Sequence, residues 1–378
     1  MKKNIIALAV AAALIAPAAA MADTTLYGKF HVSYDFLGGS KAASTTGGFS
    51  SNSSRLGIKG KEKINDNLSM IYQYETGFDA GQNGALRSTT AGGLGGQRNT
   101  FIGATGTWGT VITGRHDTPF KNMGRDYDLF DSTIGDSRNI ISGPKTSQGS
   151  DTNWDLRPSQ VIAYATPDLM GFHAMAAYVN SWSVNDPFYA NPPTAKTAPY
   201  YTPSSALSLS AGYKIAGFGL DAAYESHRHG GANQVGVTRS QDAYRLGANY
   251  SIAGVKVLGF YQDIKNVRFS NDSQKTYGVG AAYTFLGANT VKAQYYKADS
   301  VSNTQSTGGD MWAVGYDYKL SKQTNVYAMY AQTSNNSNAT YTIMNDGHDY
   351  AYPGTGAKGA LLPGKKSSAV SVGVEHKF

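Results

Sequence analysis

Apolar and polar residues alternate regularly at the end of the chain. Val370, Val372 and Val374 share one parity, whereas Ser371 and Gly373 share the other. A period of two places the two sets on opposite faces of a β-strand. Such a strand at a free sheet edge would promote aggregation. We therefore expect this last strand to have a pairing partner and its apolar face to be covered.

The same alternation recurs along the rest of the chain in long segments. Clear examples lie at 25–36, 207–214, 276–285 and 312–320. Soluble β-sandwiches also alternate, but their strands usually have about five or six residues, whereas a membrane-crossing strand needs about 9–11. The length of the alternating segments therefore favours a transmembrane barrel.

Short turns and long polar loops alternate between the predicted strands. Seven short turns lie near 64–67, 105–109, 167–171, 215–217, 252–254, 286–289 and 320–323. Eight longer stretches lie near 38–53, 80–96, 116–156, 181–204, 227–240, 265–274, 300–309 and 333–366. Short periplasmic turns and long extracellular loops are typical of outer-membrane barrels. We predict an all-β fold, a 16-stranded antiparallel transmembrane β-barrel closed by pairing of the last strand with the first.

The first residues predict export. Residues 1–22 read MKKNIIALAVAAALIAPAAAMA, with two lysines, an apolar run and small residues at the end. This is the pattern of a Sec-type secretory signal peptide, and the apolar run is too short to span a bilayer. We expect cleavage after residue 22, so that residues 23–378 form the barrel.

The composition suits a boundary between lipid and water. The 378 residues include no cysteine, and charged residues make up 16%, against about 25% in ordinary globular domains. Glycine (44) and tyrosine (26) are abundant, and tyrosine suits an interface because its ring is apolar and its hydroxyl polar. Disulfides therefore do not stabilise the fold, and closure of the sheet must do so.

Charged residues within the predicted strands have mostly the inward parity. A lysine or arginine facing lipid at mid-depth would cost about 2–4 kcal/mol. A barrel of this strand number is wide enough for a water-filled channel. The inward set comprises Lys29, Asp35, Arg55, Lys59, Lys214, Asp221, Glu225, Arg245 and Asp317.

Several motifs together carry a family resemblance along the whole mature chain. They are TLYGKFHVSYDF, SRLGIKGKEKINDNLSMIYQYETGF, RNTFIGATGTWGTVITGRHDTPF, DLFDSTIGDSRN, LRPSQVIAYATPDLMGFHAMAAY and the terminal HKF. The chain resembles the trimeric general porins of the neisserial and Burkholderia type. The resemblance implies a homotrimer in the outer membrane, in contact with lipid and lipopolysaccharide. It also implies a third loop folded into the lumen, and Phe378 as the signal for insertion machinery and periplasmic chaperones.

The longest connection, 116–156, is the candidate constriction loop. Its predicted acids are Asp117, Asp126, Asp128, Asp131 and Asp136. A loop of this length in a compact fold is usually functional or disordered, so an exposed surface loop is the alternative. The opposing basic wall is predicted from parity for Lys29, Arg55, Lys59 and Arg157. Arg98 is added by resemblance, and Arg115 because it ends a strand where the loop begins.

Other patterns give weaker signals for chemistry. His227 and His229 suggest a metal pair, but we expect a solvated loop there, because a metal site needs further ligands. Asp126 and Asp128 lack the spacing of a calcium loop. We find no nucleophile elbow, although catalytic triads are recognised by geometry rather than sequence. We therefore expect no catalytic residue, metal or cofactor, and no nucleic-acid partner.

The predicted function is a general diffusion porin. It would pass ions and small hydrophilic solutes passively, with a mild preference for anions, because the predicted wall is basic. The alternative is a substrate-selective porin for anionic small molecules. A more remote alternative is an outer-membrane enzyme or adhesin built on the same barrel.

Overall fold

The computed structural model describes residues 23–39, 47–81, 98–146, 149–150, 153–180, 202–230, 240–267, 271–343 and 363–378. The predicted signal peptide, 1–22, lies outside these residues. The strands are β1 (Thr25–Gly39), β2 (Gly47–Ser51), β3 (Arg55–Asn65), β4 (Leu68–Gly77), β5 (Thr100–Gly106), β6 (Gly109–Arg115), β7 (Lys145–Thr146), β8 (Gly149–Ser150), β9 (Val161–Ala165), β10 (Phe172–Asn180), β11 (Thr202–Ile215), β12 (Phe218–Gly230), β13 (Ser240–Ile252), β14 (Val255–Val267), β15 (Asp272–Phe285), β16 (Asn289–Ala298), β17 (Gly309–Lys319), β18 (Thr324–Asn335) and β19 (Ser367–Lys377).

One antiparallel sheet closes on itself to form the wall. β2 and β3 both pair with β1, so they form one wall strand interrupted at 52–54. β7 and β8 form a separate two-stranded sheet, and Thr146 of β7 also makes an isolated bridge with Ala339. The wall therefore has sixteen strands. β19 pairs with β1 from Lys29 opposite Lys377 to Gly39 opposite Ser367, which confirms the predicted closure.

The two faces of the wall differ in polarity, as the alternation predicts. On β13, the Arg245 side chain is fully buried inside, whereas its neighbour Leu246 is 52% exposed on the outer face. Val279 and Val374 are similarly exposed on the outside. Closure leaves no sheet edge, which is what a hydrocarbon environment requires of backbone polar groups.

Two of the short turns are two-residue hairpins with an unusual backbone. Ala216 and Gly217 have φ of 48° and 83°, and Ala253 and Gly254 have the same pair of values. Positive φ at both central residues defines the type I′ turn, whose twist matches that of the flanking strands. The turns explain why the β11–β12 and β13–β14 registers continue to the strand ends.

The chain end is fixed to the first strand. The Phe378 amide donates to the Gly28 carbonyl at 3.1 Å, and the Gly28 amide donates to the Phe378 carbonyl at 3.0 Å. The Phe378 ring lies over Gly28, at the place where a β-carbon would stand. Its centroid is 6.0 Å from that of Phe30. The terminal ring is thus part of the seam that closes the barrel.

The third connection folds into the barrel. It runs from β6 to β9 and contains the helix Pro119–Asp126, the short helix Arg138–Ile141 and the β7–β8 hairpin. The first helix packs on β11 and β12, and the second on β16 and β17. In the described part of the chain, neither helix has the length and hydropathy needed to cross a membrane.

Candidate functional site

The first helix of the third loop begins with a capped turn. Thr118 accepts a hydrogen bond from the Lys121 amide at 3.2 Å, and Pro119 occupies the first helical position. Both features stabilise a helix start. The Phe120 amide donates to the Ser208 hydroxyl of β11 at 3.0 Å. The helix is therefore attached to the inner wall from its first turn.

A buried guanidinium joins the two arms of the loop to the wall. Arg245 of β13 donates through Nη1 to the Phe120 carbonyl at 2.8 Å and through Nη2 to the Ile141 carbonyl at 3.2 Å. Its Nε donates to Gln262 Oε1 at 2.7 Å. Its Cζ also lies 3.9 Å from the centroid of the Phe120 ring. A β-carbon at Gly124 would collide with this guanidinium, so a glycine is needed there.

Aromatic side chains fill the space between the loop and the wall. Tyr127 donates to Asp221 Oδ2 at 2.8 Å, and Tyr296 donates to the Tyr127 carbonyl. Trp154 stacks on His227 with ring centroids 4.1 Å apart. These rings belong to a buried cluster, so the outer face of the loop forms a core inside the barrel. The lumen is narrowed because this core fixes the loop inside it.

The expectation of a solvated loop at His227 is wrong. β12 continues to Gly230, beyond the predicted strand end, because its ladder with β11 extends that far. The His227 ring is buried between Trp154 and Glu225, whose Oε1 lies 2.9 Å from Nε2. Within the described residues, no cluster of three or more His, Cys, Asp and Glu side chains suits a metal ion.

Four of the five predicted loop acids are bound by partners. Asp117 contacts Lys121 at 3.1 Å and Arg157 at 2.9 Å, while Asp136 contacts Arg138 at 2.5 Å. Asp131 contacts Arg125 at 2.9 Å. Asp128 accepts hydrogen bonds from the amides of Phe130 and Ser137 and from the Gln294 side chain. Asp126 is exposed at the end of the helix. Among the ion pairs of the described residues, Asp117 is the one loop acid that pairs with the predicted basic wall, through Arg157.

Burial and neighbouring charges separate the pKa values of two loop acids. Burial, together with the negative charges of Asp136 and Asp131, raises the pKa of Asp128 to about 8. Burial acts in the same direction on Asp131, but Arg125 and Arg138 outweigh it and hold its pKa below the usual range. Asp128 is therefore the loop acid that titrates near neutral pH.

The titration of Asp128 predicts a pH-dependent loop. Because its folded pKa lies above the unfolded value, the stability it contributes is present at low pH and is lost as pH rises through about 8. The thermal midpoint should therefore fall as pH rises from about 4 to about 8 and change little above that. In Asp128→Asn, which mimics the protonated form, the fall should be smaller. An equal fall in both proteins would contradict this assignment.

Three predicted wall arginines, Arg55, Arg98 and Arg157, lie close enough for their charges to act on one another. Glu75 contacts Arg55 at 3.5 Å and also Arg98, and it accepts from the Tyr27 hydroxyl at 2.9 Å. Arg157 donates to Asn99 Oδ1 at 2.7 Å in addition to contacting Asp117. We call Arg55, Arg98 and Arg157 the guanidinium cluster.

The other predicted wall residues have different surroundings. Lys29 is buried and contacts Glu375 of the last strand at 3.1 Å. The Lys59 ammonium lies 5.2 Å from the Tyr27 ring centroid. Arg115 pairs in register with Thr100 and ends β6 close enough to Arg157 and Asp117 to be influenced by their charges.

Glu75 and Asn99 were missed by sequence reasoning. Glu75 follows the inward positions of Ile71 and Gln73 on β4, so its parity was available as a signal. Asn99 precedes β5 and carries no charge, so neither pattern nor charge marks it. Together they hold three guanidinium groups in place from the wall side.

Comparison with known proteins agrees with this barrel. The model of the Gram-negative porin family matches residues 7–338. The chain is 30% identical to outer membrane porin protein 32 of Delftia acidovorans over the full length of both chains.

Solved structures agree on the fold. The anion-selective porin from Comamonas acidovorans superposes with a TM-score of 0.73 at 22% identity, covering 95% of this chain and 100% of the other. The trimer form of OmpT of Vibrio cholerae superposes with a TM-score of 0.62 at 15% identity, covering 94% and 99%. The resemblance drawn from the sequence motifs is confirmed: the chain belongs to the Gram-negative porin family, whose barrels lie in the outer membrane.

Proposed function

We propose that the protein is a general diffusion porin with a mild preference for anions. The observation that carries this proposal is the guanidinium cluster, in which Glu75 and Asp117 neutralise only part of the positive charge. The relative from Comamonas acidovorans is described as anion-selective, which supports the same sign. Small hydrophilic solutes are the proposed cargo, and no enzymatic step is proposed.

Planar-bilayer recording tests this function. In a potassium chloride gradient, the reversal potential should show a chloride preference that is modest and falls at high salt, because screening shortens the range of the charges. Conductance should rise in proportion to salt at high concentration. A saturating current for one solute class would favour the substrate-selective alternative, and a cation preference would contradict the proposal.

We also propose a homotrimer. β5 and β6 have seven residues each and β9 has five, whereas most other wall strands are longer. Seven residues tilted by ~40° rise only about 18 Å, less than the apolar band of about 25 Å. We call the part of the barrel formed by β5, β6 and β9 the low wall. Ile102 and Ile162 nevertheless expose apolar side chains on its outer face. A neighbouring copy would cover it, and OmpT of Vibrio cholerae, which has the same fold, is described in a trimer form.

Oligomer size is the direct check on this assembly. The folded protein in detergent should migrate as a trimer that heating converts to a monomer. Substituting Ile162→Arg on the low wall should weaken the trimer more than Val279→Arg, which is exposed on the outer face of β15. A folded monomer by light scattering would contradict a trimer.

We propose that Phe378 acts in assembly, through the insertion machinery and periplasmic chaperones, after removal of the signal peptide 1–22. Its ring packs against Gly28 and Phe30 at the seam, where aromatic side chains are favoured near a membrane interface. Deleting Phe378 should reduce the amount inserted in cells but leave refolded pores with wild-type conductance. Normal insertion with altered conductance would contradict this role. Lipid and lipopolysaccharide are the proposed surroundings of the inserted barrel.

A further inference from the structure

A row of lysines follows the lumen face of β3 from the guanidinium cluster to the periplasmic end. Lys59, Lys61 and Lys63 are exposed and occupy alternate positions, about 6.8 Å apart along the strand. Ile58 and Ile64 have the opposite parity and are exposed on the outer face. The three ammonium groups therefore lie on the lumen side.

The lysines differ in how far their charge is neutralised. Lys63 contacts Asp66 at 2.7 Å, next to the turn that joins β3 to β4. Lys59 lies over the Tyr27 ring. Among the described residues, neither Lys59 nor Lys61 has a carboxylate within ion-pair distance. These two ammonium groups thus remain available to a negative charge in the lumen.

The strands beside this row present an apolar surface to the lumen. Ile71 of β4 is directly opposite Lys61 in the register, and Gln73 is opposite Lys59. Phe101 of β5 is opposite Gln73. Ile71 and Phe101 are half-buried and pack against the buried apolar residues Ile112, Val161 and Ala163. Apolar side chains at inward positions break the polar pattern of the lumen.

The two features form a seam with the dimensions of a small molecule. Directly paired residues have Cα atoms about 5 Å apart, and strands two places away are about 10 Å apart. A ligand can therefore place one charge at Lys59 or Lys61 and lay an apolar body across Ile71 toward Phe101. Chloride or acetate would use only the lysines.

We propose that this seam is a binding site for small carboxylates that carry an apolar body, such as an aryl carboxylate. This proposal rests on the proposed anion conduction. Carboxylates with an apolar body are the anions that the lumen should retain longest. The site lies on the periplasmic side of the guanidinium cluster, because β3 runs from Arg55 at the cluster to Asn65 at the periplasmic turn. Retention there would hold such solutes after they have passed the constriction.

Channel block by benzoate and acetate tests the site in trimers of the full protein in planar bilayers. Both anions carry one carboxylate, and only benzoate has an aromatic body. Benzoate should reduce the chloride current at about ten-fold lower concentration than acetate, because partial burial of its ring removes apolar area from water; ten-fold corresponds to about 1.4 kcal/mol. Equal concentrations for half-block would overturn the proposal.

Substitutions locate the two halves of the seam. The double substitution Ile71→Ser and Phe101→Ser should weaken block by benzoate about ten-fold and leave block by acetate unchanged. Lys61→Gln should weaken both. The matched control is Lys319→Gln, which removes an exposed lysine at the periplasmic end of β17, and it should leave benzoate block as in the wild type. Benzoate block that survives the double substitution would overturn the site.

The outcomes separate this site from the proposed function. Trimers that conduct chloride preferentially but do not distinguish benzoate from acetate would refute the site and leave the porin function standing. Trimers that exclude anions altogether would refute both. Benzoate block lost in the double substitution, with trimer and chloride preference retained, would support both.

Discussion

Replacing Arg55, Arg98 and Arg157 together by serine should turn the mild anion preference into a cation preference. An ion about 8 Å from one charge in water gains roughly 0.5 kcal/mol, which biases its passage about two-fold. Three clustered charges act together, and their removal also leaves Glu75 without its two guanidinium partners. The reversal potential in a salt gradient measures the change, and the pore should also widen.

The salt dependence and one opposite substitution are the controls. The shift should be large in dilute salt and small at about 1 M, where the Debye length is about 3 Å. Glu75→Gln alone should move the reversal potential toward stronger anion preference, since it removes the charge between Arg55 and Arg98. If the triple variant keeps the wild-type reversal potential in dilute salt, selectivity is set elsewhere.

Replacing Arg245 by methionine should detach the third loop from the wall and give unstable, larger pores. The substitution removes three hydrogen bonds from a buried charged group, each contributing about 1.5–3 kcal/mol. Methionine keeps much of the contact with Phe120 but cannot hold the two carbonyl groups. Single-channel recording should show a higher open conductance and frequent closures that the wild type lacks.

Two further substitutions test whether the change in conductance comes from loss of the Arg245 guanidinium or from general disruption of the fold. Gln262→Leu should have a smaller effect of the same kind, because Arg245 still donates to the carbonyls of Phe120 and Ile141. Lys319→Met removes a charge from the wall without touching the loop and should leave the conductance steady. Quiet, wild-type channels in Arg245→Met would show that the aromatic core alone holds the loop.

Much of the barrel followed from the sequence because its signal is local. A strand between lipid and water must alternate, so the parity of Arg245 and Leu246 could be read from their neighbours alone. The seven short turns and the pairing of the last strand with the first were predicted in the same way and are confirmed. The ends of strands were less certain, as β12 shows by continuing through His227.

The candidate site was predictable only in part. Parity predicted Arg55 and Arg157 on the lumen side; Arg55 of β3 contacts Glu75, and Arg157, in the segment before β9, contacts Asp117. The loop acids were expected to face the basic wall, whereas Asp128 and Asp136 instead accept hydrogen bonds from the loop's own backbone. A carboxylate next to an amide has the same sequence pattern as one facing water, so no pattern could separate the two.

The sequence by itself determined the wall and its closure, because both depend on a period of two imposed by the surrounding solvent. Only the tertiary structure decided how the third loop is held and which charges remain free. Arg245 and the Phe120 carbonyl are 125 residues apart, and Tyr127 and Asp221 are 94 apart. Such contacts join residues that only the folded barrel brings together, so no local window of the chain contains them.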